Sequence, residues 1–234
     1  MKTVFVADAH LKGLGDPNQA ALVKFLSNLK ADNLVILGDL FDFWTGANKV
    51  VEENYSTVLD ELLRLKRRGA HIFYTEGNHD FSMGPFFTAK LKAKVIPNMG
   101  EASLDGKAFL LLHGDTVSMT FGYMLWRAFL RSPAFRLIAW AATPGFVWKC
   151  AMGLSRRSRT KNTGYDKGKR IDEALRAFAV SRLGAVDCVV FAHSHAPGIY
   201  QEKNGVFANP GSFAADRSYL VFEKGSFRIE KFKG

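Results

Sequence analysis

The chain has 234 residues, 47% hydrophobic and 23% charged, proportions ordinary for a soluble globular protein with one sizeable core and room for an insert. The longest uncharged run of its aromatic-rich stretch, Leu137 to Trp148, has 12 residues and contains Pro144, which excludes a transmembrane helix of roughly 20 apolar residues; low-complexity tracts and internal repeats are also excluded. The formal net charge is +10, and all of it falls between Phe121 and Arg170, where eleven basic residues stand against one acid, Asp166; such a concentration calls for an acidic partner such as phosphate groups, an anionic membrane face or nucleic acid.

In chain order, residues 2–7 read as a strand and 18–31 as a helix, with Ala20, Ala21, Leu22, Phe25, Leu26 and Leu29 on its apolar face. Leu34 to Leu37 is a second buried strand. Val50 to Arg68 has helical periodicity through Val51, Tyr55, Val58, Leu59, Leu62 and Leu65 and stops at Gly69; His71 to Tyr74 is the third strand. This alternation is the βαβ signature of a sheet covered by helices. Val95-Ile96 and Phe109 to Leu112 are further strands, and Asp105-Gly106 marks a hairpin. Residues 118–160 interleave aromatics with arginines, and Pro133 and Pro144 divide them into three expected helices. A helix over about 166–183 precedes the strand Val189 to Phe191. Short strands follow at Ile199-Tyr200, Val206-Phe207, Tyr219 to Phe222 and Phe227 to Ile229. One folding unit is expected over 1–234. Cys150 and Cys188 make no disulfide framework and read as small hydrophobes. With no leader recognised before the first strand, a reducing, cytosolic setting is expected.

Five of the six histidines sit in short motifs, and each motif follows an apolar, strand-like run: Asp8-Ala9-His10, Gly38-Asp39, Gly77-Asn78-His79-Asp80, His113-Gly114-Asp115 and His193-Ser194-His195. Strand ends are where α/β sheets gather reactive side chains. Singly, each has a bland reading: Asp-x-His could cap a helix and Gly-Asn-His-Asp could be a turn. Together they match the needs of two divalent cations about 3.5–4 Å apart, which clamp a phosphoryl group and require a bridging carboxylate. Asp39 is the natural bridge, because Gly38 lets the backbone come close. Asp8 and His10, two apart, are expected on the same side of an extended segment and so on one ion. His193 and His195 have the same spacing, one ring for each ion. Asn78 supplies a neutral oxygen and His113 an imidazole. A nitrogen and oxygen set without thiolate suits Mn2+, Fe2+ or Zn2+. His71, outside any motif, reads as packed or surface, and Asp115 as a loop carboxylate beside the ligands.

The motif order resembles the calcineurin-like metallophosphoesterase family, whose pattern is D-x-H, G-D, G-N-H-[DE], H and G-H-x-H; the likeness runs from residue 8 to residue 195, with Ala192 in place of the last glycine. It implies a four-layer αββα sandwich and a dinuclear metal-dependent phosphoesterase. Asp8, His10, Asp39 and His195 would hold one metal; Asp39, Asn78, His113 and His193 would hold the other. Asp39 and His79 would be catalytic, His79 contacting the phosphate and helping the leaving group depart. Within the family, the segment Gly38 to Trp44, together with Ala7 to Leu11, Asp80 to Gly84 and His113 to Thr116, is similar to the UDP-2,3-diacylglucosamine pyrophosphatases of lipid A biosynthesis. That likeness implies manganese as the metal and a UDP-linked acylated sugar, cleaved to lipid X and UMP. It also implies a helical lid over 118–162 that receives acyl chains, and a peripheral position on the cytoplasmic face of the inner membrane.

Interleaved aromatics and cations fit a molecule with fatty tails and a diphosphate. Trp126, Phe129 and Trp140 are the candidate tail contacts, and Arg156, Arg157, Arg159, Lys161, Asn162 and Lys167 the candidate phosphate contacts. The lipid A enzymes carry arginine where this chain has His79, so another lipid-linked diphosphate or phosphodiester is an alternative substrate. A metal-dependent nuclease would need an open groove with stacking aromatics, which the Pro-broken aromatic insert does not favour. A non-enzymatic interaction protein on the same fold would lack ligands, and none is lacking; no obligate protein partner is inferred.

Overall fold

A computed structural model describes residues 1–46, 49–117, 119–135, 137, 153 and 165–234, with only the backbone given at Thr45 and at 165–167. Each strand-forming run divides its side chains between two cores. In β1 (Lys2–Val6), Val4 and Val6 face outward while Phe5 and the following Ala7 face inward, the period of two that extended backbone imposes. The same alternation runs through β2 (Asn33–Ile36), with Leu34 and Ile36 on one face and Val35 and Leu37 on the other.

The result is two stacked sheets. One has six strands in the order β13 (Ser226–Lys231), β12 (Ser218–Glu223), β1, β2, β4 (His71–Thr75) and β6 (Lys94–Ile96), with β1, β2, β4 and β6 parallel. The other has five, in the order β10 (Gly198–Glu202), β11 (Gly205–Asn209), β9 (Cys188–Val190), β8 (Lys107–Leu112) and β7 (Met99–Leu104). There β8, β9 and β11 are parallel, and β7 and β8 form the hairpin expected at Asp105-Gly106.

Three cores separate four layers. Phe5, Val35, Phe109, Leu111, Val190 and Phe222 fill the space between the sheets. On the outer face of the six-stranded sheet lie α1 (Pro17–Asn28) and α2 (Lys49–Arg67), burying Leu22, Phe25, Tyr55, Val58 and Leu62. On the outer face of the other, α4 (Tyr165–Arg182) buries Leu175 and Ala179 against Leu112, Phe191 and Phe207. This is the αββα sandwich. Cys188 is buried in the inter-sheet core, where burial pushes its thiol up to about 11, so it acts as a small hydrophobe; His71 is exposed.

Two features carry no period in the sequence. A parallel pair of two-residue strands, β3 (Trp44–Thr45) and β5 (Asp80–Phe81), ties two motif segments together, and a single π-helical turn spans Phe86–Lys90. Of the three helices expected in 118–160, α3 (Phe121–Leu130) is present, started by the Thr120 hydroxyl accepting from Tyr123 N–H. Residues 118, 136, 138–152 and 154–160 of that stretch lie outside the described residues, and with them Cys150, Trp140, Arg156, Arg157 and Arg159, as do Lys161, Asn162 and the side chain of Lys167. Among the described residues no helix is long and apolar enough to cross a membrane.

Candidate metal centre

All five motifs leave the carboxyl ends of strands that run parallel within their sheets: β1, β2 and β4 in one, β8 and β9 in the other. The loops are tied directly to one another. Asp8 N–H donates to Gly38 O, His10 N–H to Asp39 O, and Ala192 N–H to His113 O at 2.9 Å. Gly38 is required by this crowding: its φ is +79°, and a Cβ there would lie 2.8 Å from His113 Nδ1 and 2.9 Å from Gly77 Cα. At Gly77 a Cβ would fall 2.1 Å from Asp39 Oδ1.

The expectation that Asp8 and His10 share a side of an extended segment is corrected. Asp8 (φ 50°), His10 (φ 44°), Asp39 (φ 50°), His193 (φ 68°) and His195 (φ 57°) are all left-handed. The chain coils as it leaves β1, β2 and β9, and their ligand side chains meet over the strand ends. Left-handed non-glycine residues carry strain, and their concentration here is typical of a functional site held by its surroundings.

The side chains form two principal groups, each with donor atoms within 4.8 Å of one another: Asp8, His10 and His195, and Asp39, His113 and His193. In the first, Asp8 Oδ1 lies 3.3 Å from His195 Nε2 and 3.9 Å from His10 Nε2. In the second, His113 Nε2 lies 3.1 Å from His193 Nδ1, 3.2 Å from Asn78 Oδ1 and 3.5 Å from Asp39 Oδ2. The same Asp39 oxygen lies 4.0 Å from His10 Nε2, so it faces both groups. His113 Nδ1 donates to Leu37 O at 2.8 Å, which leaves Nε2 as its ligating atom. His79 sits on the rim, its N–H donating to Asp39 Oδ1 at 2.9 Å and its Nδ1 to Asp42 O at 3.0 Å.

The donor set fits divalent cations. It mixes imidazole, carboxylate and amide oxygen, and Asp8 Oδ1 is buried without accepting a hydrogen bond, as suits an oxygen reserved for a cation. The electrostatics agree. Burial lifts Asp39 to about 6 against the opposing pull of His113. Burial alone would lower His113, but Asp39 and Asp8 outweigh it and hold the ring at about 9. His193 is pushed down to about 4 by burial and by His113 beside it. At Asp8 burial is overcome by His195, and the carboxyl is held well below its usual range. A cation would replace the protons that these groups otherwise share.

Three groups of residues were not legible as site residues. Asp80, the last residue of its motif, is fully buried and, among the described residues, belongs to no donor group. Its Oδ1 accepts from Asp39 N–H and Gly77 N–H, and its Oδ2 from Leu40 N–H, Phe41 N–H and Tyr74 OH. Phe41 and Trp44 are fully buried in an aromatic cluster with Tyr55 and Phe87, and Trp44 Nε1 donates to Met83 O, so these motif aromatics build the wall behind the site. Ser194, between the two histidines, donates to Asp172 Oδ1 of α4 and accepts from Asn209, fixing that loop from outside. Asp115 is the loop carboxylate expected, gripped by Tyr123 and Arg127. On α3, Trp126 and Phe129 are exposed at 46% and 42%.

The sequence model of the calcineurin-like phosphoesterases matches residues 1–197. Among curated proteins, the UDP-2,3-diacylglucosamine hydrolase of Vibrio cholerae is 28% identical over 213 residues, covering 86% of this chain and 84% of its own. That of Aeromonas salmonicida is 29% identical over 250 residues, covering 99% of this chain and 93% of its own. Among solved structures, an archaeal phosphodiesterase shares the fold, with TM-score 0.54 and 12% identity over 98% of this chain and 99% of that one.

Proposed function

The chain belongs to the calcineurin-like phosphoesterases, metal-dependent hydrolases of phosphate esters and anhydrides, and from that premise we propose that it cleaves the diphosphate of a UDP-linked, doubly acylated glucosamine to UMP and the acylated sugar 1-phosphate. The observation that carries the reading is the one carboxylate oxygen, Asp39 Oδ2, facing both donor groups, since a bridging oxygen is what two close cations need. Asp8, His10, Asp39 and His195 hold one ion, and Asp39, Asn78, His113 and His193 the other. Mn2+ is the preferred ion; Fe2+ or Zn2+ suits the same donors. Bound there, the ions supply Lewis-acid charge to the phosphoryl oxygens and lower the pKa of the attacking water.

His79, with Nδ1 engaged by Asp42 O, uses Nε2 to contact the phosphate and pass a proton to the leaving group. Segment 118–162 serves as the lid. Trp126, Phe129 and Trp140 receive the tails, and Arg156, Arg157, Arg159, Lys161, Asn162 and Lys167 neutralise the diphosphate. Two lines support the lipid substrate: the names of the curated relatives, and five large hydrophobics left exposed on α3, Phe121, Met124, Leu125, Trp126 and Phe129. The +10 window holds the protein reversibly on the cytoplasmic face of the inner membrane, at ~1 kcal/mol per basic residue near an anionic surface, and salt releases it.

The test compares hydrolysis of UDP-2,3-diacylglucosamine with that of UDP-N-acetylglucosamine, in intact protein and in a variant with Trp126, Phe129 and Trp140 changed to Ala. Intact protein prefers the acylated substrate and the variant loses that preference. Equal cleavage of both by intact protein, or preference for a nucleic acid, overturns the lipid assignment in favour of a general phosphodiesterase.

A further inference from the structure

The polar stripe of α3 is spaced by four: Tyr123, Arg127 and Arg131, the last being the residue that caps the helix. It does not face solvent. Tyr123 OH donates to Asp115 Oδ2 at 2.7 Å, and Arg127 Nε donates to the same oxygen at 3.1 Å while its Nη2 reaches Pro97 O at 3.3 Å. Arg131 Nη2 donates to Gly77 O at 3.1 Å, lies 3.6 Å from Glu76 Oε2, and its guanidinium stacks 4.8 Å from the Phe81 ring centroid. Both carboxylates are buried, their side chains 3% and 7% exposed, so each needs a cation beside it. Neither belongs to a donor group of the metal centre. Asp115 follows His113 by two residues, and Glu76-Gly77 immediately precede Asn78 and His79.

We propose that Arg127 and Arg131 are positioning residues: from one stripe of α3 they separately pin the loop carrying His113 and the loop carrying Asn78 and His79, which makes this helix part of the frame of the metal centre. The proposal rests on the phosphoester-hydrolysing reading of that centre, not on the identity of its substrate. Misplacing a reacting group by about 1 Å can cost 10²-fold in rate, so a ligand loop needs a fixed anchor outside the site. Arg127 meets a carboxylate and a carbonyl with separate nitrogens of one planar guanidinium, which a single ammonium does not reproduce, and the Arg131 guanidinium lies over the Phe81 ring, where a compact ammonium stacks less well. The same helix exposes its apolar residues on its other side, so whatever contacts that face also bears on the metal loops.

The experiment uses Arg127→Met and Arg131→Met, with Arg131→Lys as the conservative variant, and two readouts. The first is turnover of bis(p-nitrophenyl) phosphate, a small probe without tails or uridine. Each Met variant lowers kcat by about 10-fold or more while KM stays within about 3-fold, and Arg131→Lys falls between. The second is amide hydrogen exchange of the metal-free protein. Arg131→Met accelerates exchange across residues 76–82 and spares 113–117, and Arg127→Met does the reverse. Unchanged kcat, or equal acceleration of both segments in each variant, overturns the proposal, because general destabilisation would loosen both loops together. Should a Met variant fail to fold, Arg131→Lys carries both readouts. Failure to cleave the acylated UDP-sugar would leave both results standing, so the two readings fail separately.

Discussion

Asp80→Asn replaces one oxygen of a fully buried carboxylate by an NH2 group of the same shape. Oδ1 accepts from Asp39 N–H and Gly77 N–H, each at 2.9 Å; Oδ2 accepts from Leu40 N–H at 2.7 Å, Phe41 N–H at 3.3 Å and Tyr74 OH at 2.6 Å. If the amide nitrogen takes the Oδ2 place, the Tyr74 hydroxyl can turn and accept, but the Leu40 and Phe41 N–H groups lose their acceptor. If it takes the Oδ1 place, the Asp39 N–H does, while Gly77 N–H keeps the Asp80 backbone carbonyl at 3.1 Å. The first placement orphans two buried backbone donors and the second one, at roughly 1–3 kcal/mol each. The Oδ1 placement is the milder, because only Asp39 N–H is orphaned, so about 1–3 kcal/mol is expected. That is a large share of the roughly 5–15 kcal/mol that holds a domain folded. Urea unfolding followed by circular dichroism, in EDTA so that metals do not contribute, measures it. Tyr74→Phe, which removes one donor and leaves four, should cost only about 0.5–1.5 kcal/mol. If Asp80→Asn unfolds within about 0.5 kcal/mol of the parent, the carboxylate is not the scaffold of the bridging loop.

Asp39→Asn removes the charge that the two donor groups share; metal analysis should find less than two ions per chain and hydrolysis should be lost, with the fold kept, and near wild-type turnover with two ions bound would sink the bridging role. His79→Ala should lower kcat by about 10²–10⁴-fold with metals still bound, while His79→Arg stays largely active only if the position serves as a phosphate contact alone; full activity of His79→Ala would remove it from the chemistry. Metal loading should strengthen with pH: in the metal-free site Asp39 is held up to about 6 and His113 up to about 9, both must lose their protons to ligate, and so binding expels protons across that window. Calorimetric titration with Mn2+ at several pH values checks this, and affinity that falls as pH rises from about 6 to 8.5 would contradict it.

The amino-acid sequence alone marked the main strands, since short unbroken apolar runs such as Val4-Phe5-Val6 and Leu34-Val35-Ile36 suit strands buried on both faces, whereas the two-residue β3 and β5 left no such mark. It determined α2, through an apolar stripe ended by Gly69, and it marked the five loops, because His, Asp and Asn gathered after apolar runs have no structural use in common. It also made Gly38 legible as a close approach. What it could not determine were relations between residues distant along the chain. His193 N–H meets Asp8 across 185 positions, and that meeting depends on strand order in two sheets, which no local period encodes. The left-handed turns at Asp8 and His10 replaced the extended geometry that a spacing of two implies, in a loop whose N–H groups bond to the distant segment Gly38-Asp39. Asp80 carries the same letter as a ligand, yet is a scaffold, because four backbone N–H groups and a hydroxyl converge on it only after β3 and β5 pair. Arg127 and Arg131 were two among eleven cations of the basic window until packing buried Asp115 and Glu76 beneath them. A buried carboxylate selects its cation by proximity, and proximity is a property of the folded chain alone.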